Sequence, residues 1–175
     1  MKEYGSLDKQ TILVFEEFDE DEEITFDGDS FINCDIKCKG SYIEFRDCIF
    51  KGNIKIHNDG IGGIDQVAIY NSKMDNSNLK IVSPLVLSVD IDIEEGNSIT
   101  IECLEVELLR TRINSNSKIK YHNELIIEDS HIQNTNIVCE HNDISKVNLV
   151  IKNSVVNGVD NRTSFKETLD EEKNK

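Results

Sequence analysis

Residues 125–139, LIIEDSHIQNTNIVC, begin in strand order and then change step. Leu125 and Ile127 alternate with period two, as a short strand with one inward face requires. Ile132 and Ile137 then follow at intervals of five, each preceded two places earlier by a small hydroxyl residue, Ser130 and Thr135. The same grammar recurs in ITFDGDSFINCDIKC (24–38), IEFRDCIFKGNIKI (43–56) and VAIYNSKMDNSNLKI (67–81). LSVDIDIEEGNSITI, VELLRTRINSNSKIKY and LVIKNSVVNG follow it more loosely. Aligned on the first apolar column, the repeats place Phe26, Phe45, Ile69, Val89, Leu108, Ile127 and Ile151 in register, with separations of 19, 24, 20, 19, 19 and 24. Two units thus carry extra residues, which contain DGIGGID in one and NDISKVN in the other and fall in the same part of the repeat. Insertions confined to one vertex are what a stack of coils tolerates, because a loop bulges there without disturbing the layers above and below.

The pattern predicts an all-β fold, a right-handed parallel β-helix (solenoid) of about seven coils with a short C-terminal helix. The hand follows from the general preference of parallel crossover connections. Seven coils at the usual inter-strand distance make a rod roughly 34 Å long. A spacing of five predicts four-sided coils, one side per unit, with the inward residue nearest each bend kept small for lack of room. Cys34, Cys48, Ser72, Ser77, Thr111, Ser117, Ser130, Thr135 and Ser154 occupy those positions. Helices are excluded from the middle of the chain, where no i, i+3, i+4, i+7 pattern persists and Asn, Asp, Ser and β-branched residues abound.

Residues 1–23 read as an acidic N-terminal segment and cap, in which TILVF (11–15) is a first strand or a cover for the open end. The solenoid spans 24–160. Residues 161–175 read as a C-terminal capping helix and tail, since Ser164 precedes Glu167 by three and Phe165 and Leu169 share a helical face.

The units SNLKI (77–81), TNIVC (135–139) and CDIKC (34–38) resemble the pentapeptide-repeat family, whose consensus is a small residue, Asp or Asn, Leu or Phe, then two variable positions. The resemblance covers about half of each coil. The opening β pair, the coils of 19 residues and the two insertions depart from that family's runs of fives. The resemblance implies a non-catalytic rod, and some acidic members of the family look like B-DNA in shape and charge.

Charge narrows the function classes. The chain carries 34 acidic against 19 basic residues, a net charge of −15, which repels phosphate backbones and anionic lipid. The expected partner is a protein with a basic surface, with no direct nucleic acid and no membrane; a homodimer is a further expectation. Residues 16–23, EEFDEDEE, concentrate the acid: Glu16, Glu17, Asp19, Glu20, Asp21, Glu22 and Glu23 are the candidate partner-binding residues, against the ordinary reading of a solvated segment that aids solubility. No apolar stretch is long enough to span a bilayer and MKEYGSLDKQ lacks a secretory core, so a cytoplasmic location is expected. The five cysteines show no CxxC pairing and read as reduced, small apolar side chains, with neither disulfide framework nor zinc site.

Candidate chemistry is sparse. His-Asn-acid recurs at 57–59, 122–124 and 141–143, and His122 and His141 lie in successive coils with Glu124 and Asp143 nearby, a set that suits a divalent metal or acid–base work. Against this, His, Asn and Asp are ordinary corner residues whose side chains bond local backbone. No catalytic residue, metal or cofactor is therefore assigned. Three function classes follow: a non-catalytic acidic interaction protein, in one form an inhibitor mimicking nucleic acid; a self-assembling structural solenoid; and a small enzyme or metal-binding protein using the His/acid edge.

Overall fold

The computed structural model describes residues 1–16, 23–39, 42–58, 66–82, 85–157 and 159–161. In chain order the strands are β1 (Glu3–Gly5), β2 (Thr11–Glu16), β3 (Glu23–Asp27), β4 (Ser30–Ile32), β5 (Cys34–Lys39), β6 (Tyr42–Arg46), β7 (Ile49–Asn58), β8 (Gln66–Val82), β9 (Leu85–Ile93), β10 (Ser98–Glu102), β11 (Glu105–Leu109), β12 (Arg112–Tyr121), β13 (Glu124–Glu128), β14 (His131–Cys139), β15 (Asn148–Lys152), β16 (Ser154–Val156) and β17 (Val159–Asn161). Among the described residues the helical content is one 3-10 turn, Ile144–Lys146.

The strands stack in parallel into a β-solenoid of about six turns. The expected column exists: Phe26 pairs with Phe45, Phe45 with Ile69, Ile69 with Val89, Val89 with Leu108, Leu108 with Ile127 and Ile127 with Ile151. All seven side chains are buried. Each coil contributes to three ladders rather than to the four sides expected. The first ladder holds that column. The second stacks Tyr4, Phe31, Phe50, Met74 and, further along, Ile93, Ile113 and Ile132. The third stacks Leu13, Ile36, Ile56, Ile81, Ile101, Ile119 and Ile137.

Three ladders suffice because the interval of five is one bend plus one alternation. Ile132 points inward and Gln133 outward, Asn134 takes a left-handed φ of 53°, and Thr135 and Ile137 point inward again. The bend residue is an extra step, so inward positions are three apart across it and two apart after it. Asp and Asn tolerate the left-handed region through short polar side chains, which explains Asp47, Asn71, Asp129 and Asn153 at the first bend and Asn33, Asn76, Asn134 and Asn157 at the second. Gly52 takes its place at a second bend, where a Cβ would lie 2.2 Å from the Asn33 side-chain oxygen.

The small inward residues after the first bend are selected by hydrogen bonding as well as room. The Ser72 hydroxyl accepts from the N–H of Cys48 at 3.0 Å and donates to the carbonyl of Tyr70 at 2.9 Å. Ser154 does the same for Ser130 N–H at 3.0 Å and Lys152 carbonyl at 2.6 Å. Asparagine does the equivalent at the second bend, where Asn33, Asn97 and Asn157 accept the N–H of Asn53, Ser77 and Thr135 at 2.9, 2.8 and 3.2 Å. N–H groups that the bends take out of the regular ladder are thus satisfied by side chains of a neighbouring coil.

Aromatic rings fill the N-terminal third of the core. Phe26 stacks on Phe45 with centroids 5.0 Å apart, and Phe31 lies 5.8 Å from Phe50. Branched aliphatic residues take over beyond them. β1 and β2 extend the second and third ladders by one level, so TILVF is the first strand of the third ladder.

Among the described residues the seventh coil begins with β15 and β16 but is not completed, which is why the turns number about six rather than seven. β16 pairs in parallel with β14 and antiparallel with β17, a hairpin that closes the second ladder in place of a further side. Among the described residues the third ladder therefore ends one level early, beside a recess of about 420 Å³ lined in part by Leu125, Ile137, Leu149 and Ile151. The expected capping helix, with Ser164, Phe165, Glu167 and Leu169, lies outside the described residues.

Candidate functional site

The vertex where the chain returns from the third ladder to the first carries the His-Asn-acid motifs of 122–124, between β12 and β13, and of 141–143, between β14 and β15. His122 turns its Nε2 to Glu140, 3.3 Å away, and Lys120 reaches the same carboxylate at 2.9 Å. The Lys120 ammonium, with His122 behind it, holds the Glu140 carboxyl below its usual range. His141 is engaged elsewhere: its Nδ1 accepts the N–H of Asp143 at 2.9 Å. Asp143 caps the 3-10 turn, its carboxylate accepting the N–H and hydroxyl of Ser145 at 3.2 and 2.6 Å, and the hydroxyl bond is the main cause of its lowered pKa. Glu124 sits on the outer side of the first ladder and accepts from the Asn148 side-chain amide. His122 thus faces a carboxylate and His141 a backbone N–H, and among the described residues no three His, Cys, Asp or Glu side chains converge to hold a metal. His57 lies on β7, in a different part of the stack.

Of the acidic segment, Glu16 ends β2 and Glu23 opens β3 with its side chain exposed. Glu17, Asp19, Glu20, Asp21 and Glu22 lie outside the described residues.

Stacking in register sorts the remaining charge by side, because an outward position repeats about every 4.8 Å along the rod. On the outside of the first ladder Glu105 pairs with Glu124, with Glu107 beside the former and Glu128 at the end of β13. Carboxylates directly opposite one another repel. Among these four acids, Glu128 is matched by Lys152 at 3.7 Å. The outside of the third ladder carries the opposite sign, with Asp35 followed by Lys55 and Lys80 in one row and Lys37, Glu102 and Lys120 in the next. The second ladder is mixed: Arg110 meets Asp90 at 3.1 Å and Arg112 meets Asp92 at 3.8 Å, around a groove of about 490 Å³. That groove is charge-balanced by its own residues.

Sequence reasoning missed one polar cluster. Glu44 is on the outer side of the first ladder and yet is only 7% exposed. Its carboxylate pairs with Arg46 and accepts the Tyr42 hydroxyl at 3.1 Å. Burial first, then Tyr70 and Glu44, drive the Tyr42 phenol pKa strongly upward. The alternation Tyr-x-Glu-x-Arg in YIEFR was the available signal, since it places three polar side chains on one strand face.

Fold and surface together define a class: an all-β parallel solenoid whose outer sides differ in charge. No family model, curated protein or solved structure matches the chain. Among the described residues no helix is long and apolar enough to cross a membrane.

Proposed function

We propose that the protein is a non-catalytic recognition rod whose acidic outer side binds a basic macromolecular surface. The observation that carries this reading is the in-register pair Glu105 and Glu124, with Glu107 and Glu128 beside them. Like charges stacked one coil apart disfavour the fold, and a cationic partner relieves them. The mechanism is electrostatic attraction followed by docking of a flat, rigid face, so affinity falls as salt rises. The residues of EEFDEDEE add to the net acidity of the chain. The likeness of SNLKI and TNIVC to pentapeptide repeats is consistent with a rod without catalysis, and an inhibitor that occupies a nucleic-acid site by imitating its charge is the finer form of this reading.

The test neutralises the patch and controls for net charge. Glu105, Glu107, Glu124 and Glu128 are changed to Gln together, and a second variant changes Glu3, Asp8, Asp75 and Glu94 to their amides. Binding of a labelled decalysine peptide, and capture of host proteins, is measured at low and high salt. The reading expects the patch variant to lose affinity and salt dependence while the control keeps both; equal effects of the two variants sink it.

A further inference from the structure

The lysines of the third ladder are at odds with a chain of net charge −15. Their placement is a product of register. Lys55 pairs with Lys80, a like-charged stack, and Lys118 lies further along the same row, opposite Thr100. In the neighbouring row Val14 pairs with Lys37, and Glu102 with Lys120. Glu102 is consumed by two of these, Lys80 at 3.0 Å and Lys120 at 3.9 Å. Lys37, Lys55 and Lys118 make no ion pair with a described residue. At the N-terminal end the same two rows begin with Ile12 and Val14, which are 62% and 58% exposed and pair with Asp35 and Lys37. A basic sheet face continuous with two exposed apolar side chains is a composite surface, and scattered solvating charge does not produce one.

From this placement we infer that the outer side of the third ladder is a second docking surface, which takes an acidic polypeptide segment bearing apolar side chains. Ile12 and Val14 seat its apolar residues, and Lys37, Lys55, Lys80 and Lys118 meet its carboxylates. The chemistry selects this occupant over nucleic acid. Among the described residues this side presents no arginine fork for phosphate and no tyrosine or phenylalanine on which a base could stack. A phosphate backbone would also bring its full charge density against the acids of the other sides, whereas a short segment interacts within about a Debye length of the lysines. With an acidic side and a basic side on one rigid rod, the protein can hold two partners of opposite charge at once.

The experiment uses the full chain and a labelled peptide, Glu-Glu-Leu-Glu-Glu-Leu-Glu-Glu, followed by fluorescence anisotropy. Three variants are compared: K55E/K80E/K118E, I12S/V14S, and a charge-matched control K9E/K73E/K146E, each checked for native fold by circular dichroism. The triple variant on the third ladder is expected to weaken binding by about tenfold or more, and I12S/V14S by several-fold, with the control close to the parent. Because I12S/V14S touches exposed residues only, it separates a lost contact from a lost fold. Four results overturn the inference: no measurable binding, equal loss in the control, tighter binding of single-stranded DNA of equal charge, or concentration-dependent self-association that K55E/K80E/K118E abolishes, which would make a second copy the occupant.

Discussion

The backbone N–H of Thr111 donates to the hydroxyl of Ser130, one coil further along, at 2.9 Å. That hydroxyl in turn donates to the carbonyl of Glu128 at 2.8 Å, and Ser130 is 5% exposed. One side chain therefore satisfies a neighbouring coil's donor and its own coil's acceptor at a bend where the regular ladder is interrupted.

Replacing Ser130 with Ala leaves the Thr111 N–H buried without a partner. The expected cost is about 1–3 kcal/mol, read as a lowered urea midpoint with an unchanged slope. A Ser130→Thr change, which keeps the hydroxyl, is expected to cost less. Equal destabilisation by both would mean that space alone governs the position.

The bend residues are tested by backbone chemistry. Asp129 has φ 51° and is exposed. Asp129→Gly is expected to be tolerated, while Asp129→Val should cost about 1–2 kcal/mol because a β-branched residue resists the left-handed region. Thermal melts of the two variants decide the matter.

In the aromatic part of the core, Phe45 lies 5.0 Å from Phe26 and 5.6 Å from Phe50, ring to ring, and is fully buried. Phe45→Ala is expected to cost about 3–5 kcal/mol, since neighbours held on adjacent coils cannot collapse into the space. Phe45→Leu should recover much of that loss in the same denaturation assay.

The exposed Lys120–Glu140 pair adds a small pH-dependent contribution to stability at the acid and alkaline edges. The folded pKa of Glu140 lies below its ordinary 4.5, so its contribution is complete above that pH and disappears as pH falls through the folded value. The Lys120 pKa is raised above 10.5, mainly by Glu140, so its contribution is complete below that pH and disappears as pH rises through the folded value. Lys120→Met should flatten the melting temperature against pH at both edges; an unchanged profile would show that the pair contributes nothing.

Burial pushes the Cys38 thiol up to about 12 and Cys48 to about 11. Both are expected to react with a thiol reagent at pH 8 far more slowly in the native protein than in urea, where all five cysteines become available. Mass spectrometry of the labelled peptides reads the two sites separately.

Much of the fold was legible in the chain. The column from Phe26 to Ile151 and the small residues at the bends are local matters, written in alternation and in residue size, and they hold in the structure. Of the His-Asn-acid motifs, those at 122–124 and 141–143 lie at corners, where Asp143 bonds backbone within two residues, whereas His57 and Asn58 belong to β7. Glu44 was not legible as buried, since nothing in YIEFR distinguishes an outward glutamate in water from one that is covered.

The sequence by itself determined the period, the inward columns and the vertex that accepts insertions, because each depends on residues near one another along the chain. Only the tertiary structure decided that a coil contributes to three ladders, that β16 turns back in a hairpin with β17, and that lysines gather on one side and glutamates on another. The reason is register: between Asn114 and Ser117 the chain spends two residues where the next coil spends one, Asn134, so which outward residue lies over which is set by bend lengths accumulated across coils.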